Sequence, residues 1–200
     1  MTTLITHNRK QKIEAAKSIL LQLQLWDEDQ DNLCRKRRTD AYISLTLCHA
    51  TELDDEGKLM KYRGQPYWTS AALQRLQENQ AFNQAKKPYH KKISPYFGLI
   101  HEHAVPRNLI RELIYQAPRL EEAIFKILDE LSHAVIVTRE EDRLLNRAGL
   151  KSHMPPGIDF PTPATVFARY HAIGVTPIDT TQEEEDFSNI CFNDLYQLKK

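Results

Sequence analysis

The run from Tyr96 to Ile110, YFGLIHEHAVPRNLI, sets two histidines around a glutamate at the end of an apolar stretch, with Pro106 shortly after. Imidazole has an ordinary pKa of about 6.5, so it exchanges protons near neutral pH and also ligates metals. A carboxylate beside it adds a hard, anionic oxygen donor. On a regular strand, His101 and His103 would share one face, a spacing that suits Zn²⁺ or another imidazole-binding metal. Glu102 would then face the other way. It can share a site with His103 only if the strand ends or bends, and Pro106, which restricts Val105, makes a bend the expectation. The alternative is a polar strand end without chemistry.

A second group lies downstream in TREEDRLLNRAGLKSH. In a helix, Asp142 and Asn146 stand four apart and present oxygen donors on one face. Arg139, Arg143 and Arg147 form a second line at the same spacing, continued by Lys151, and such a stripe would track phosphates along a strand of nucleic acid. His153, in the loop that follows, could donate to a phosphate. Pairing of the arginines with Glu140 and Glu141 is the competing reading.

Elements must bring these groups together. Ile13, Ala16, Ile19, Leu20 and Leu23 recur at helical spacing between Lys10 and Trp26, and Thr39 to Ala50 reads as a second helix. Thr69 or Ser70 can cap a third helix reaching about Asn79, while Tyr62, Tyr67 and Trp68 read as core rather than as a base-stacking platform. GLIHEH is a short strand, and Pro106 suits the start of the helix carrying Leu109, Ile110, Leu113 and Ile114. After Pro118 a further helix buries Ile124, Ile127, Leu128 and Leu131, making a helical hairpin. AVIVT, Ala134 to Thr138, is a buried strand, and Thr138 with Glu141 forms a capping box for a helix that Gly149 ends. A short helix in ATVFARYHAIG stops at Gly174.

The predicted organisation is α+β and mostly helical. It comprises a helical N-terminal segment (1–83), a basic linker (84–95), a strand–hairpin–strand–helix module (96–178) and an acidic tail (179–200).

EHAVP resembles the acid-His-x-hydrophobic-Pro signature of the HNH nucleases, also called His-Me finger or ββα-metal nucleases, and VIVTREEDRLLNRAGL is similar to their second strand and metal-binding helix. The resemblance covers about Tyr96 to Leu150. It has a helical hairpin where many members carry a Gly- and Asn-rich loop, and Ser132-His133 where a middle Asn would fall. It implies a ββα-metal finger with the hairpin inserted between its strands, and metal-dependent hydrolysis of phosphodiester bonds in nucleic acid, DNA first. It further implies Glu102 as a metal ligand, His103 as the general base and Asn146 as the second protein ligand. Asp142 stands in reserve beside Asn146.

The chemistry is consistent with those side chains. Phosphodiester hydrolysis needs a base near neutral pH and a hard cation on the phosphate. Carboxylate and amide oxygens suit Mg²⁺, with Mn²⁺ as the substitute. The expected setting is restriction, phage defence or mobile-element biology. Two other classes stay open: a non-catalytic nucleic-acid-binding or adaptor protein on the same scaffold, and a regulator holding zinc through His101 and His103.

Composition bounds these readings. Among 200 residues, 41% are hydrophobic, enough for a real core. Acidic and basic residues number 27 each, so bulk charge favours no polyanion; local runs matter instead, RKRR at 35–38, KKPYHKK at 86–92 and EEED at 183–186. Cys34, Cys48 and Cys191 are odd in number and scattered, which argues against a disulfide framework and for a reducing compartment. No apolar run approaches the roughly 18 residues of a membrane span, and the N-terminus lacks a signal-peptide core, so a cytoplasmic location is expected. Partners through the N-terminal helices, including a second copy, are also expected.

Overall fold

The computed structural model describes residues 9–54, 56–62, 64–85, 93–159 and 161–181. The basic run at 86–92, the acidic run at 183–186 and Cys191 lie outside them. No helix among the described residues is long and apolar enough to cross a membrane.

Helices α1 (Arg9–Asp27) and α2 (Leu33–Glu52) open the chain. The second begins earlier than its apolar periodicity suggests, because Asn32 caps it: the Asn32 side chain accepts from the Arg35 amide at 3.0 Å. Strand β1 (Tyr67–Trp68) follows in a stretch where the sequence pattern suggested only a turn and helix start. Two residues are too few for a visible alternation, and both are buried. Thr69 then caps α3 (Ser70–Ala85) by accepting from the Ala72 amide at 3.1 Å.

Strand β2 (Leu99–His103) follows Gly98, whose φ of +83° favours glycine and where an added Cβ would meet Arg75 Nη1 at 2.9 Å. Helices α4 (Arg107–Gln116) and α5 (Glu121–Leu131) form the expected hairpin, meeting through buried stripes such as Ile110, Ile114, Ile124 and Leu128. Strand β3 (Ala134–Thr138) is buried at every position. Its continuous β-branched run makes sense because it lies inside the sheet, antiparallel to β2 and parallel to β1. Helix α6 (Arg139–Arg147) follows directly, then α7 (Ala168–His171) and β4 (Ile178–Asp179), which pairs with β1.

The protein is therefore α+β, mostly helical, with a small mixed sheet in the order β2-β3-β1-β4. Two buried clusters hold it together: Ile19, Leu23, Ile43 and Leu47 from the first helices share one with Ile114, Val135 and Tyr170, and Trp68, Leu73 and Leu76 share the other with Leu99 and Ile136. Both clusters draw residues from either side of 84–95. The apolar faces of α1 and α2 are used inside the chain, against α5 and α4.

The capping box at Thr138 is complete. Glu141 Oε2 accepts from the Thr138 amide at 2.8 Å and from Thr138 Oγ1 at 3.0 Å, while the Glu141 amide donates back to Thr138 Oγ1 at 3.2 Å. The same oxygen accepts from Thr69 Oγ1 at 2.8 Å, so one buried carboxylate joins the first turns of α3 and α6. That contact fixes the orientation of α6 against the sheet.

Candidate functional site

Strand β2 is an edge strand, and it stays regular through His103. The bend comes one residue later, at Ala104-Val105. The expectation that it would turn Glu102 and His103 onto one face is therefore corrected: the pleat keeps His101 and His103 together and sends Glu102 the other way. The two imidazole centroids are 5.8 Å apart, edge to face.

His101, its side chain 2% exposed, has Nδ1 3.9 Å from Glu52 Oε1 on α2. Burial lowers its pKa to about 4 despite that carboxylate, with Lys61 adding to the fall. His103, 9% exposed, lies with Nε2 4.0 Å from Cys48 Sγ. Burial lowers its pKa to about 3, aided by His101, Arg107 and Arg169. Both rings are thus neutral near pH 7, and His101 Nε2 and His103 Nδ1 are buried without a hydrogen-bond partner. Cys48 Sγ also accepts from Arg107 Nη1 at 2.7 Å.

On the opposite face, Glu102 meets Arg169 of α7. This arginine is 0% exposed: Nη2 reaches Glu102 Oε1 at 3.2 Å and the Lys151 carbonyl at 3.4 Å, while Nη1 donates to the His103 carbonyl at 2.9 Å. Burial raises the Glu102 pKa; Arg169 opposes the rise and the nearby charge of Asp142 adds to it. Asp142 in turn accepts from Asn146 Nδ2 at 3.2 Å.

A cleft of about 570 Å³ wraps the end of β2 and gathers Glu102, His103 and Lys151, together with His101, Cys48, Ser44, Arg107 and Arg111. Asp142 and Asn146 do not line it; the charge of Asp142 is felt at Glu102, and Asn146 is bonded to Asp142. Arg139, Arg143 and Arg147 are exposed on α6 and also lie off the cleft. No ion pair joins them to Glu140 or Glu141 among the described residues, and Glu141 is committed to its buried cap. His153 is exposed, its Nδ1 3.1 Å from Ser152 Oγ.

The side chains expected as ligands carry oxygen donors, the type an oxygen-preferring cation takes. Glu102 and Asp142 are close enough to repel, and Asn146 adds an amide oxygen. Among the described residues no group of three His, Cys, Asp or Glu side chains is arranged to hold a metal, so a closed cage of the kind a structural zinc takes is not formed around His101 and His103.

Cys48, Arg169 and Arg107 are among the residues of the site that escaped the sequence reading. Arg169 carried one signal, a lone cation in the apolar ATVFARYHAIG. Arg107 carried another: it follows Pro106 at the first turn of α4, where the helix dipole disfavours a cation. Comparison with family models, with characterised proteins and with solved structures finds no match for the chain.

Proposed function

We propose that the protein is a metal-dependent endonuclease of the HNH type, with the β2–hairpin–β3–α6 unit serving as a ββα-metal finger. The observation that carries the reading is the convergence of Glu102, His103, Arg107 and Lys151 on one cleft, with the charge of Asp142 felt at Glu102 and Asn146 bonded to Asp142. Glu102, Asp142 and Asn146 would hold Mg²⁺ or Mn²⁺, which when bound supplies positive charge to the scissile phosphate.

The chain's own residues then divide the remaining work. His103 is neutral and able to accept a proton, yet its buried setting makes it a weak base in the free protein. A phosphate anion beside it favours the imidazolium, so substrate binding itself strengthens the base. Arg169 holds the Glu102 carboxylate and the His103 carbonyl together, setting the end of β2. Arg139, Arg143, Arg147 and Lys151 flank the site as contacts to the nucleic-acid backbone, with His153 nearby.

His103→Ala and His103→Gln should each lower metal-dependent cleavage of plasmid by about 10²–10⁴-fold, the usual worth of a general base, while circular dichroism remains native. Cleavage by both variants at the wild-type rate, with a chelator abolishing it, would sink the assignment. One observation favours a second reading, a nucleic-acid-binding protein without catalysis: Glu102 is already paired with Arg169, and Asn146 with Asp142. Binding of DNA or RNA without nicking in Mg²⁺ or Mn²⁺ would establish that reading instead.

A further inference from the structure

The start of β2, away from the cleft, carries a large apolar side chain that the core does not use. Phe97 is 59% exposed, yet its backbone is firmly held. Asn79 of α3, itself buried, donates through Nδ2 to the Pro95 and Phe97 carbonyls, both at 2.9 Å, and the Phe97 amide donates to the Ser94 carbonyl at 3.0 Å. The neighbouring Tyr96 ring stacks on Tyr62 with centroids 4.8 Å apart, and both pack against the second buried cluster. The Phe97 ring makes no aromatic or cation contact among the described residues. A single exposed ring is ordinary on a protein surface. A ring on a turn held this way loses little freedom when something stacks on it.

Cations lead away from that ring. The Arg139 amide donates to the Gly98 carbonyl at 3.0 Å, so α6 begins one residue from Phe97 across that bond. Beyond the far end of α6 the chain meets the cleft: Lys151 lines it, and Arg169 Nη2 contacts the Lys151 carbonyl as well as Glu102. Between these ends Arg139, Arg143 and Arg147 are exposed and stand four apart, over about 12 Å at the usual helical rise. Their side chains make no hydrogen bond or ion pair among the described residues. A polyanionic strand laid along α6 would meet cations at its backbone and an aromatic face at the Arg139 end, the combination that holds single strands. Paired bases inside a duplex offer no free face to stack on; every unpaired base does.

We infer that Phe97 is a base-stacking residue for an unpaired nucleotide, and that the nucleic acid lying along α6 is single-stranded. The inference rests on the reading of the α6 arginines as backbone contacts, and adds the class of strand they receive. The stacking face is common to DNA and RNA, so both are used as probes.

Binding is measured by anisotropy in excess chelator, where cleavage plays no part. The probes are labelled single-stranded DNA and RNA of one sequence, their blunt duplexes, and an abasic strand of the same length. Wild type should bind at least one single strand, and more tightly than the matching duplex. Phe97→Ala should weaken that binding about tenfold with the salt slope unchanged, because it removes a stack and no phosphate contact. Phe97→Trp should bind at least as well as wild type. Arg143→Gln, by contrast, should lower the slope by about 0.7. The abasic strand should not distinguish Phe97→Ala from wild type. Dependence on Phe97 with one sugar only assigns the strand as DNA or RNA. If single strands bind but Phe97→Ala holds them as tightly as wild type, or loses the abasic strand equally, this inference alone is overturned. If no probe binds, it falls together with the arginine reading.

Discussion

Two cations are buried among the described residues, Arg169 and Lys12, and they are satisfied very differently. Arg169, 0% exposed, closes the candidate site with hydrogen bonds to one carboxylate and two backbone carbonyls. Lys12, 2% exposed, crosses from α1 to α5, where its Nζ lies 3.4 Å from the Asp129 carbonyl and 3.9 Å from Asp129 Oδ1. A guanidinium cannot shed its proton in a protein, so its burial demands a fork of acceptors. An ammonium can shed one, and burial lowers the Lys12 pKa to about 8, with Asp129 opposing the fall only in part. A charge held by three acceptors at the end of β2, with only Nε left without a partner, marks a place where geometry is held, whereas the looser pair ties two helices of the scaffold.

The largest effect should come from breaking the matched cation. Arg169→Met strands the Glu102 carboxylate, which is mostly out of water, and frees the His103 and Lys151 carbonyls. Removing one partner of a buried pair costs about 3–5 kcal/mol, so urea denaturation should show a loss of that size. Arg169→Lys keeps the charge but loses the fork, and should fall between the two. A wild-type midpoint for Arg169→Met would erase the contrast with Lys12.

What could be read beforehand follows the same divide between local and assembled features. The capping box from Thr138 to Glu141 was legible because four residues of sequence contain both partners. So were the α4–α5 hairpin and β3, whose spacing of apolar residues records which face is buried. The partners of β2 were not. Arg169 lies 67 positions from Glu102, and Cys48 lies 55 from His103, so only the packed chain brings them together. The pleat of β2 was visible in principle, yet Pro106 acts one residue too late to cancel it. Strand β1, too short to carry a pattern, concealed the link that merges the first helices with the rest of the sheet.

Lys12 should give the smallest change, and a pH dependence that identifies it. Its pKa is about 10.5 unfolded and about 8 folded. Between those values the unfolded chain retains a proton the native state has released, so stability attributable to this residue rises with pH across the window. Below about pH 8 both states are protonated and the cost of burying the charge is present in full. Lys12→Met removes that cost while keeping the apolar stem, although Asp129, whose side chain is 26% exposed, must then rely on water. At pH 7 the variant should melt within about 1 kcal/mol of wild type or above it. As pH rises from 8 to 10.5 wild type sheds its buried charge, so its stability should rise relative to that of the variant. Other lysines titrate in both chains and cancel in that difference. A variant markedly less stable at pH 7, with a gap that does not change with pH, would show the Lys12–Asp129 pair to be matched after all, and the contrast with Arg169 would lose its physical basis.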